Sequence, residues 1–382
     1  MTRLAALLMC SVLAAPALAQ ELRATGDLGV IVERATGSVL IVDQSERAAI
    51  GRVEGLGDLS HASLVFSPDE RFAYLFGRDG GLSKIDILTQ QVVGRVIQSG
   101  NSIGGAISDD GKLIAVANYE PGGVKIFDAD TLEELAHIEA DGKALGLEDA
   151  AGRKFVFSVW DTNETKIVDF SGAEPVVTTL SDIGANPYDA LVTDDGRTYI
   201  AGLFGEDGLS AIDLWAEVPE VKRILPHYGR GQEEMPVYKM PHLEGWAKAG
   251  DQIVLPAVHH HEVLWVDART LEETGRTAVH SQPVFAMARP GGRHVWVNFA
   301  HPENDTIQVI DTMTHEIIGE MVPGPAVLHM EFTSRGTEAW VSVRDENKVV
   351  IYDTTTLEPI GEIEVQSPSG IFFTARAHRL GL

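Results

Sequence analysis

The chain has almost no cysteine. Of its 382 residues only Cys10 carries a thiol. Residues 1–19 are predicted to be a secretory signal peptide, because Arg3 is followed by an apolar core over residues 4–14 and by the small-x-small site Ala17-Leu18-Ala19. The exported domain, residues 20–382, would then have no disulfide, no thiolate ligand, no cysteine nucleophile and no thioether-attached c-type haem.

Basic residues and long apolar runs are also scarce. The chain has 30 Lys and Arg residues and 56 Asp and Glu residues, which gives a net charge of −26. This negative charge argues against nucleic acid or an anionic membrane as a partner. After residue 19 no segment approaches the roughly 18 apolar residues of a membrane span. A soluble periplasmic protein is expected. Lipid anchoring at Cys10 is the alternative, disfavoured because Met9 is large where lipoprotein processing needs a small residue.

Long amphipathic helices are missing too, and a β repeat takes their place. Each unit has an alternating apolar strand, a turn such as SPDE or SDDG, a second strand, a short turn and a third strand that ends in Asp. The units recur at about 35 to 45 residues. The third strands are LIVD, LSKIDI, VKIFDADTLEE, TKIVDF, LSAIDL, VLWVDARTLEE, IQVIDTMTHE and VVIYDTTTLEP.

Four-stranded units at this period are typical of propeller blades, which bury their faces against one another around a channel. The fold is therefore predicted to be all-β, an eight-bladed β-propeller, with seven blades as the alternative count. Residues 27–53 lack a leading strand and residues 367–377 resemble one, so pairing of the two termini would close the ring and remove free sheet edges. The seven complete units start near residues 60, 102, 144, 186, 241, 282 and 326.

Two histidines fall at equivalent places in this repeat. His61 and His242 each lie eight residues before the turn of their unit, where a side chain faces the mouth of the central channel. Their units are the first and the fifth, half a turn apart in an eight-bladed ring, so both could reach a planar ligand on the axis. Surface or structural roles remain open for each histidine.

Other candidates are less regular. Arginines suit a ligand with several carboxylates, and Arg78 and Arg344 end second strands, while Arg230 lies in a long connection over residues 219–244. His329 lies six residues before its turn instead of eight. The run His259-His260-His261 is expected in mid-blade at strand spacing, with His260 on the opposite face from its two neighbours.

The run from His61 to Ile87, with a histidine before the strand and a G-R-D turn, resembles the first blade of the d1-haem domain of cytochrome cd1 nitrite reductase. The pair Pro241-His242, the ending SPSGIFFTARAH and the order of the blades extend the resemblance over the mature chain. It implies d1 haem bound over the channel, with His61 as axial iron ligand and His242 on the distal side.

Two departures narrow the resemblance. The chain has no CxxCH and no c-type haem domain, and it reads Asn186-Pro187-Tyr188-Asp189 where the reductase has a second distal histidine. It is more similar to the NirF family, exported single-domain relatives required for making d1 haem. That implies a tetrapyrrole ligand and, as partners, nitrite reductase and other d1-haem biosynthesis proteins.

The same resemblance implies roles for the candidate residues. Tyr188, Asp189 and His242 would form the distal face and assist a late oxidation or side-chain modification, and Arg78, Arg230 and Arg344 would pair with the carboxylates of the macrocycle. Catalysis of a late step and simple carriage of the cofactor both stay open. A cofactor-free propeller that serves as a protein-interaction scaffold is the alternative from another class.

Overall fold

The computed structural model describes residues 23–228, 245–257 and 260–379. These residues form 32 β-strands and two short 3-10 helices, with no α-helix in the described part of the chain. The strands group into eight four-stranded antiparallel sheets, and the first strands of neighbouring sheets contact one another around a central axis. The eight-bladed propeller predicted from the repeat is confirmed.

Blades are numbered from the first complete unit. Blade 1 comprises β4 Ser63–Phe66, β5 Phe72–Phe76, β6 Gly81–Asp86 and β7 Gln91–Ile97; blade 2, β8 Asn101–Ile107, β9 Leu113–Glu120, β10 Val124–Asp128 and β11 Glu134–Ile138; blade 3, β12 Ala144–Ala150, β13 Lys154–Val159, β14 Glu164–Asp169 and β15 Val176–Leu180; blade 4, β16 Pro187–Val192, β17 Thr198–Leu203, β18 Leu209–Asp213 and β19 Val221–Ile224. Blade 5 comprises β20 Ala247–Ala249, β21 Gln252–Ala257, β22 Glu262–Asp267 and β23 Glu273–Ala278; blade 6, β24 Pro283–Ala288, β25 His294–Phe299, β26 Ile307–Asp311 and β27 Ile317–Met321; blade 7, β28 Val327–Phe332, β29 Glu338–Val343, β30 Lys348–Asp353 and β31 Pro359–Glu364; blade 8, β32 Pro368–Phe373 with β1 Leu28–Glu33, β2 Ser38–Asp43 and β3 Ala48–Val53.

Blade 8 joins the two ends of the chain. The strand order is β3-β2-β1-β32, and the register places Gly29 opposite Phe373 and Val30 opposite Phe372. The first strand of this blade therefore comes from the C-terminus and the other three from the N-terminus, as the two incomplete units predicted. The pairing gives β1 a partner on both sides, β2 and β32, so its edge is not left free.

Large aromatic side chains hold neighbouring blades together. Trp296 of blade 6 meets Phe332 of blade 7 edge-to-face at 5.4 Å, and Trp340 of blade 7 meets Phe373 of blade 8 at 5.3 Å. Both tryptophans have no exposed surface. At about 200 Å² and 25 cal/mol per Å², each contributes about 5 kcal/mol of burial before the entropy of ordering is subtracted.

The Asp that ends each third strand forms the following turn. In blade 6, Asp311 Oδ1 accepts hydrogen bonds from the backbone N–H groups of Met313 at 2.8 Å and Thr314 at 3.1 Å. Equivalent bonds occur at Asp128, Asp267 and Asp353. The repeated Asp followed by Thr is therefore a local turn motif of the fold, and it lies away from the channel mouth.

The antiparallel connections sort the loops into two faces. The starts of all first strands and the turns between second and third strands lie at one end of the ring, which is the channel mouth. At the other end the 3-10 helix Thr374–His378 packs on β4, and its buried Arg376 pairs with Glu331 of blade 7 at 2.8 Å. Neither of the described helices has the length and apolar character needed to cross a membrane.

Candidate functional site at the channel mouth

His61 lies at the mouth, in the loop that leads into the first strand of blade 1. It is half-buried, and the residue before it is held from two sides. Asp58 Oδ1 accepts a hydrogen bond from the N–H of Ser60 at 2.8 Å, and the guanidinium of Arg34 donates to the carbonyl of Ser60 at 2.5 Å. The loop that carries His61 is therefore anchored to blade 8.

Three arginines follow the second strands of three consecutive blades: Arg344 in blade 7, Arg34 in blade 8 and Arg78 in blade 1. We call this set the arginine arc. Burial lowers the pKa of Arg34, and the positive charge of Arg344 lowers it further, while Asp58 opposes both. Hydrogen bonds from Ser60 lower the pKa of Asp58, and the charges of Arg78 and Arg34 lower it further, so the arginines lie in one region together with Asp58, while Arg344 is also paired with Asp345 at 2.6 Å. An anion bound there would relieve their repulsion.

The turn that carries Arg78 requires a glycine at position 80. Gly80 has a φ of +77°, and a Cβ at this position would lie 2.1 Å from the carbonyl oxygen of Ser99. The turn is closed by a hydrogen bond from the N–H of Gly77 to the carbonyl of Gly81 at 2.8 Å, and the N–H of Arg78 donates to the carbonyl of Asp58. Only glycine fits this left-handed position without displacing the neighbouring loop.

The next three blades contribute aromatic side chains: Tyr119 from blade 2, Trp160 from blade 3, and Tyr188 and Phe204 from blade 4. We call this set the aromatic arc. Trp160 contacts Tyr188 edge-to-face with ring centroids 5.8 Å apart and Phe204 in a tilted pair at 5.1 Å. Burial is the main reason that the pKa of both Tyr119 and Tyr188 is raised, and each phenol also affects the pKa of the other.

The two arcs meet at Arg78. Its positive charge acts on both Tyr119 and Tyr188, where it opposes the effect of burial on the pKa of each phenol. Six consecutive blades, 7, 8 and 1 to 4, thus line the mouth with cations on one side and aromatic surface on the other. This arrangement suits a flat ligand that is apolar across its face and carries carboxylates on one edge.

The structure separates the two neighbouring distal candidates. Tyr188 belongs to the aromatic arc and is partly exposed, whereas Asp189 is only 3% exposed, with Oδ1 accepting a hydrogen bond from the N–H of Ala190 at 3.1 Å. Asp189 is therefore buried, and its charge acts on the phenols of Tyr188, Tyr199 and Tyr228. Arg230 and His242 lie outside the described residues, as does most of the connection over residues 219–244.

The other candidate histidines lie away from the site at the mouth or outside the strand positions predicted for them. His329 is 7% exposed in the middle of β28, and its Nδ1 accepts the backbone N–H of Ile371 at 3.2 Å, which is a structural role between blades 7 and 8. The expectation of strand spacing for the histidine run is wrong. His260 and His261 belong to the turn between β21 and β22, and His261 has a φ of 49°; His259 lies outside the described residues.

Sequence reasoning missed Arg34, Tyr119, Trp160 and Phe204. A signal for Arg34 exists, because it lies nine residues before Asp43, the Asp that ends its third strand, and Arg344 lies nine residues before Asp353. The aromatic residues have no comparable signal. They follow second strands or lie near the end of one, where the repeat places no particular residue type.

A cavity of about 310 Å³ lies at the other end of the channel, between the C-terminal 3-10 helix and the first strands of blades 1 to 3. Its walls include Leu64, Phe66 and Ile107, and its buried arginine, Arg376, is already paired with Glu331. We place the candidate site at the mouth because cationic and aromatic groups from six blades converge there.

Comparison with known proteins identifies the family of this chain. The model of the Cytochrome D1 heme domain family matches residues 23–377, so the propeller is a domain of this family. The chain is 58% identical to Protein NirF of Stutzerimonas stutzeri over 95% of each chain, and 55% identical to Protein NirF of Pseudomonas aeruginosa over 98% of each. The chain belongs to the NirF family.

A solved structure gives the same fold. The dihydro-heme d1 dehydrogenase NirN in complex with DHE superposes with a TM-score of 0.80 at 25% identity, covering 96% of this chain and 79% of that one.

Proposed function

We propose that this protein binds d1 haem or a late tetrapyrrole precursor over the channel mouth and acts in the maturation of that cofactor. The observation that carries the proposal is the two-sided mouth, since the arginine arc would pair with carboxylates and the aromatic arc would contact the face of a macrocycle. The neighbour NirN, described as a dihydro-heme d1 dehydrogenase in complex with DHE, supports the same ligand class.

His61 is the residue that we assign to the iron. Its loop is anchored by Asp58 and Arg34 at the mouth, and a neutral imidazole is a good axial donor to haem iron. The bound group would supply the redox and ligand chemistry of its iron. The chain itself would supply orientation, through the arginine arc below one edge and the aromatic arc beside the ring.

On the distal side we assign Tyr188 and His242, with Asp189 acting on the phenol of Tyr188. Because burial raises the pKa of Tyr188, this phenol stays protonated at neutral pH and serves as a hydrogen-bond donor. Such a donor suits a late oxidation or side-chain modification, and it equally suits a carrier that delivers the finished cofactor to nitrite reductase. Arg230 is assigned to the carboxylates with Arg78 and Arg344.

We also propose that residues 1–19 direct export to the periplasm and are removed there, and that residues 20–382 act as a single domain. The partners would be cytochrome cd1 nitrite reductase and other proteins of d1-haem biosynthesis, which must hand the tetrapyrrole on and receive it.

The test is a titration of the purified mature protein with d1 haem, followed by absorption spectroscopy. Wild type is expected to form a tight complex whose iron spectrum changes in His61→Ala. His378→Ala is the matched control, since its side chain is 58% exposed on the opposite face, and its spectrum should equal that of wild type. No binding by wild type would refute the proposal and favour an interaction scaffold. A steady change of the macrocycle spectrum with precursor and an electron acceptor would show turnover.

A further inference from the structure

We propose that two arginines on outer strands, Arg95 in blade 1 and Arg223 in blade 4, position the loops that carry His61 and Tyr188. Each arginine acts through the same bridge, from one guanidinium nitrogen to a carboxylate and to a carbonyl of the loop. The inference rests on the proposed function, because these loops would present the iron ligand and the distal phenol to a tetrapyrrole. Both arginines are positioning residues, and neither is assigned a contact with the ligand.

In blade 1 the bridge joins the outer strand, the turn between the second and third strands, and the loop that leads to His61. Nη2 of Arg95 donates to Asp79 Oδ2 at 2.8 Å and to the carbonyl of Leu56 at 3.1 Å. Asp79 Oδ1 accepts the N–H of Gly81 at 3.0 Å, which fixes the carboxylate in its own turn. The bridge therefore holds the loop to this turn five residues before His61.

Blade 4 has the same arrangement. Nη1 of Arg223 donates to Glu206 Oε1 at 2.8 Å and to the carbonyl of Ile183 at 3.3 Å. Glu206 Oε1 also accepts the N–H of Ala185 at 2.9 Å, so this carboxylate holds the loop directly as well. Ile183 lies five residues before Tyr188, which is the distance along the chain between the bridge and His61 in blade 1.

The two arginines occupy equivalent places in the repeat. Arg95 is paired in register with Ser83, and Arg223 with Ser210. Each serine lies three residues before the Asp that ends its third strand. The same strand position therefore supplies the cation of both bridges.

A glycine follows the bridged carbonyl in both loops. Gly57 has a φ of +83° and Gly184 a φ of +119°. A Cβ at either glycine would collide with the arginine and the carboxylate of the bridge in its own blade. The loop backbone therefore packs directly on the bridge, and its position depends on the bridge being formed.

Blade 5 has an arginine at the same place with different partners. Arg276 is paired in register with Leu264, three residues before Asp267. It pairs with Glu262 at 2.5 Å and Glu273 at 2.6 Å, which begin the third and fourth strands of its own blade. In the described part of the chain its hydrogen bonds go to these two carboxylates, so Arg276 is the matched control.

The first measurement uses the mature protein without ligand. Hydrogen exchange of the backbone amides, read by mass spectrometry, is compared in Arg95→Met, Arg223→Met and Arg276→Met. Loss of a bridge is expected to raise the exchange rate of its loop by roughly 5-fold, because the loop opens more often. The rate should rise over residues 54–62 in Arg95→Met, over residues 181–187 in Arg223→Met, and in neither segment in Arg276→Met.

The second measurement is a titration of the same proteins with d1 haem. Arg95→Met should weaken binding by roughly 3-fold, because the affinity scales with the fraction of molecules whose loop is in place. Its iron spectrum should move towards that of His61→Ala, and Arg95→Lys, which keeps a donor for both oxygens, should restore affinity and spectrum. Arg223→Met should weaken binding to a similar extent and keep the wild-type iron spectrum.

Two results would overturn the inference. Wild-type exchange over residues 54–62 in Arg95→Met would mean that the bridge does not hold the loop. Faster exchange with unchanged affinity and unchanged iron spectrum would mean that the site does not need it. The proposed function fails in a different way, when wild type binds no d1 haem although the exchange rates change as expected. Because the bridges are partly exposed, the urea midpoints of the Met variants should stay close to wild type, which excludes a folding defect.

Discussion

One buried carboxylate, Glu33, links the two ends of the chain in blade 8, and its removal tests how much this link contributes to stability. Glu33, at the end of β1, has no exposed surface. It accepts hydrogen bonds from Arg52 at 2.7 and 2.9 Å, from the hydroxyl of Ser38 at 2.7 Å, and from the N–H of Gln366 at 3.0 Å. The last of these ties the N-terminal strands to the segment that enters the C-terminal strand β32.

The expected cost of Glu33→Ala follows from these contacts. Removing one partner of a buried ion pair costs about 3–5 kcal/mol when the other charge stays buried. Arg52 is 42% exposed, so water can solvate its guanidinium in the variant and the cost is lower. The half-buried backbone N–H of Gln366 loses its acceptor, at about 1–3 kcal/mol for a group left unpaired, whereas the Ser38 hydroxyl keeps its contact with Thr36 at 2.6 Å. A loss of about 2–4 kcal/mol in the free energy of unfolding is therefore expected, measured by urea unfolding with tryptophan fluorescence.

The matched control is Arg47→Gln. Arg47 pairs with Glu338 at 2.7 Å but is 43% exposed, so its loss should cost under about 1 kcal/mol. If Glu33→Ala is no more destabilising than this control, the role of Glu33 in closure is refuted.

The pH dependence gives an independent check. Burial alone would raise the pKa of Glu33, but the hydrogen bonds from Arg52 and Ser38 outweigh it, and the pKa is lowered overall. The folded protein then binds this proton less readily than the unfolded chain. The stabilisation by Glu33 is complete above the ordinary Glu pKa of about 4.3 and is lost as the pH falls through the lower folded value. The difference between wild type and variant should shrink in that range.

Two further predictions concern other parts of the ring. His315 stacks on Trp265 at 4.3 Å, and burial lowers the pKa of His315 although the charge of Asp311 opposes this. Because the unfolded chain then binds this proton more readily, wild-type stability should fall as the pH drops below about 6.5. His315→Ala should cost about 1 kcal/mol and remove this pH-dependent part of the stability. The same stability in His315→Ala at pH 7.5 and pH 5.5 as in wild type would contradict it. Gly80→Ala should lower the free energy of unfolding by about 1–3 kcal/mol because of the left-handed φ at this position, and it should weaken tetrapyrrole binding. Gly100 has open space around it, so Gly100→Ala should change neither the stability measured by calorimetry nor the affinity measured by titration.

The repeat predicted the architecture because each blade uses the same local physics. Alternating apolar residues made the strands, and the Asp that ends each third strand, such as Asp311, caps the turn through two backbone N–H groups. The termini were predicted to pair because each carried an incomplete unit, and the register of β1 with β32 confirms this. None of these features depends on contacts between distant blades.

Contacts between blades are what the sequence could not predict. In the turn of blade 6, His315 adopts a φ of 59° and reaches back to Gly275 of blade 5, where a Cβ would lie 2.9 Å from its imidazole. The same relation joins Leu357 to Gly319 and Leu132 to Gly94. Nothing in the local sequence explains a glycine in an outer strand. The glycine is needed because a side chain of the next blade occupies the space that a Cβ would fill.

For the histidine run, the local sequence predicts a strand where the structure has a turn. LPAV and EVLWVD flank the run with strand residues and no Gly, Pro, Asn or Asp separates them, so the segment reads as continuous strand. The chain instead turns there, with His261 in the left-handed region, because the second and third strands of every blade must be joined at the mouth. The position of the turn is set by the repeat more firmly than by the residue types in it.

Tyr119 and Tyr188, which affect each other's pKa, show why the candidate site is harder to predict from the sequence than the fold. The two residues belong to blades 2 and 4, and the first strand of blade 3 begins between them with Ala144 and, two residues on, Gly146. Gly146 has a φ of +54°, and a Cβ there would lie 2.8 Å from Ala190. The glycine therefore allows β12 to pack closely against β16 of blade 4. The repeat supplies equivalent backbone positions, but the chemistry of the mouth depends on how neighbouring blades differ.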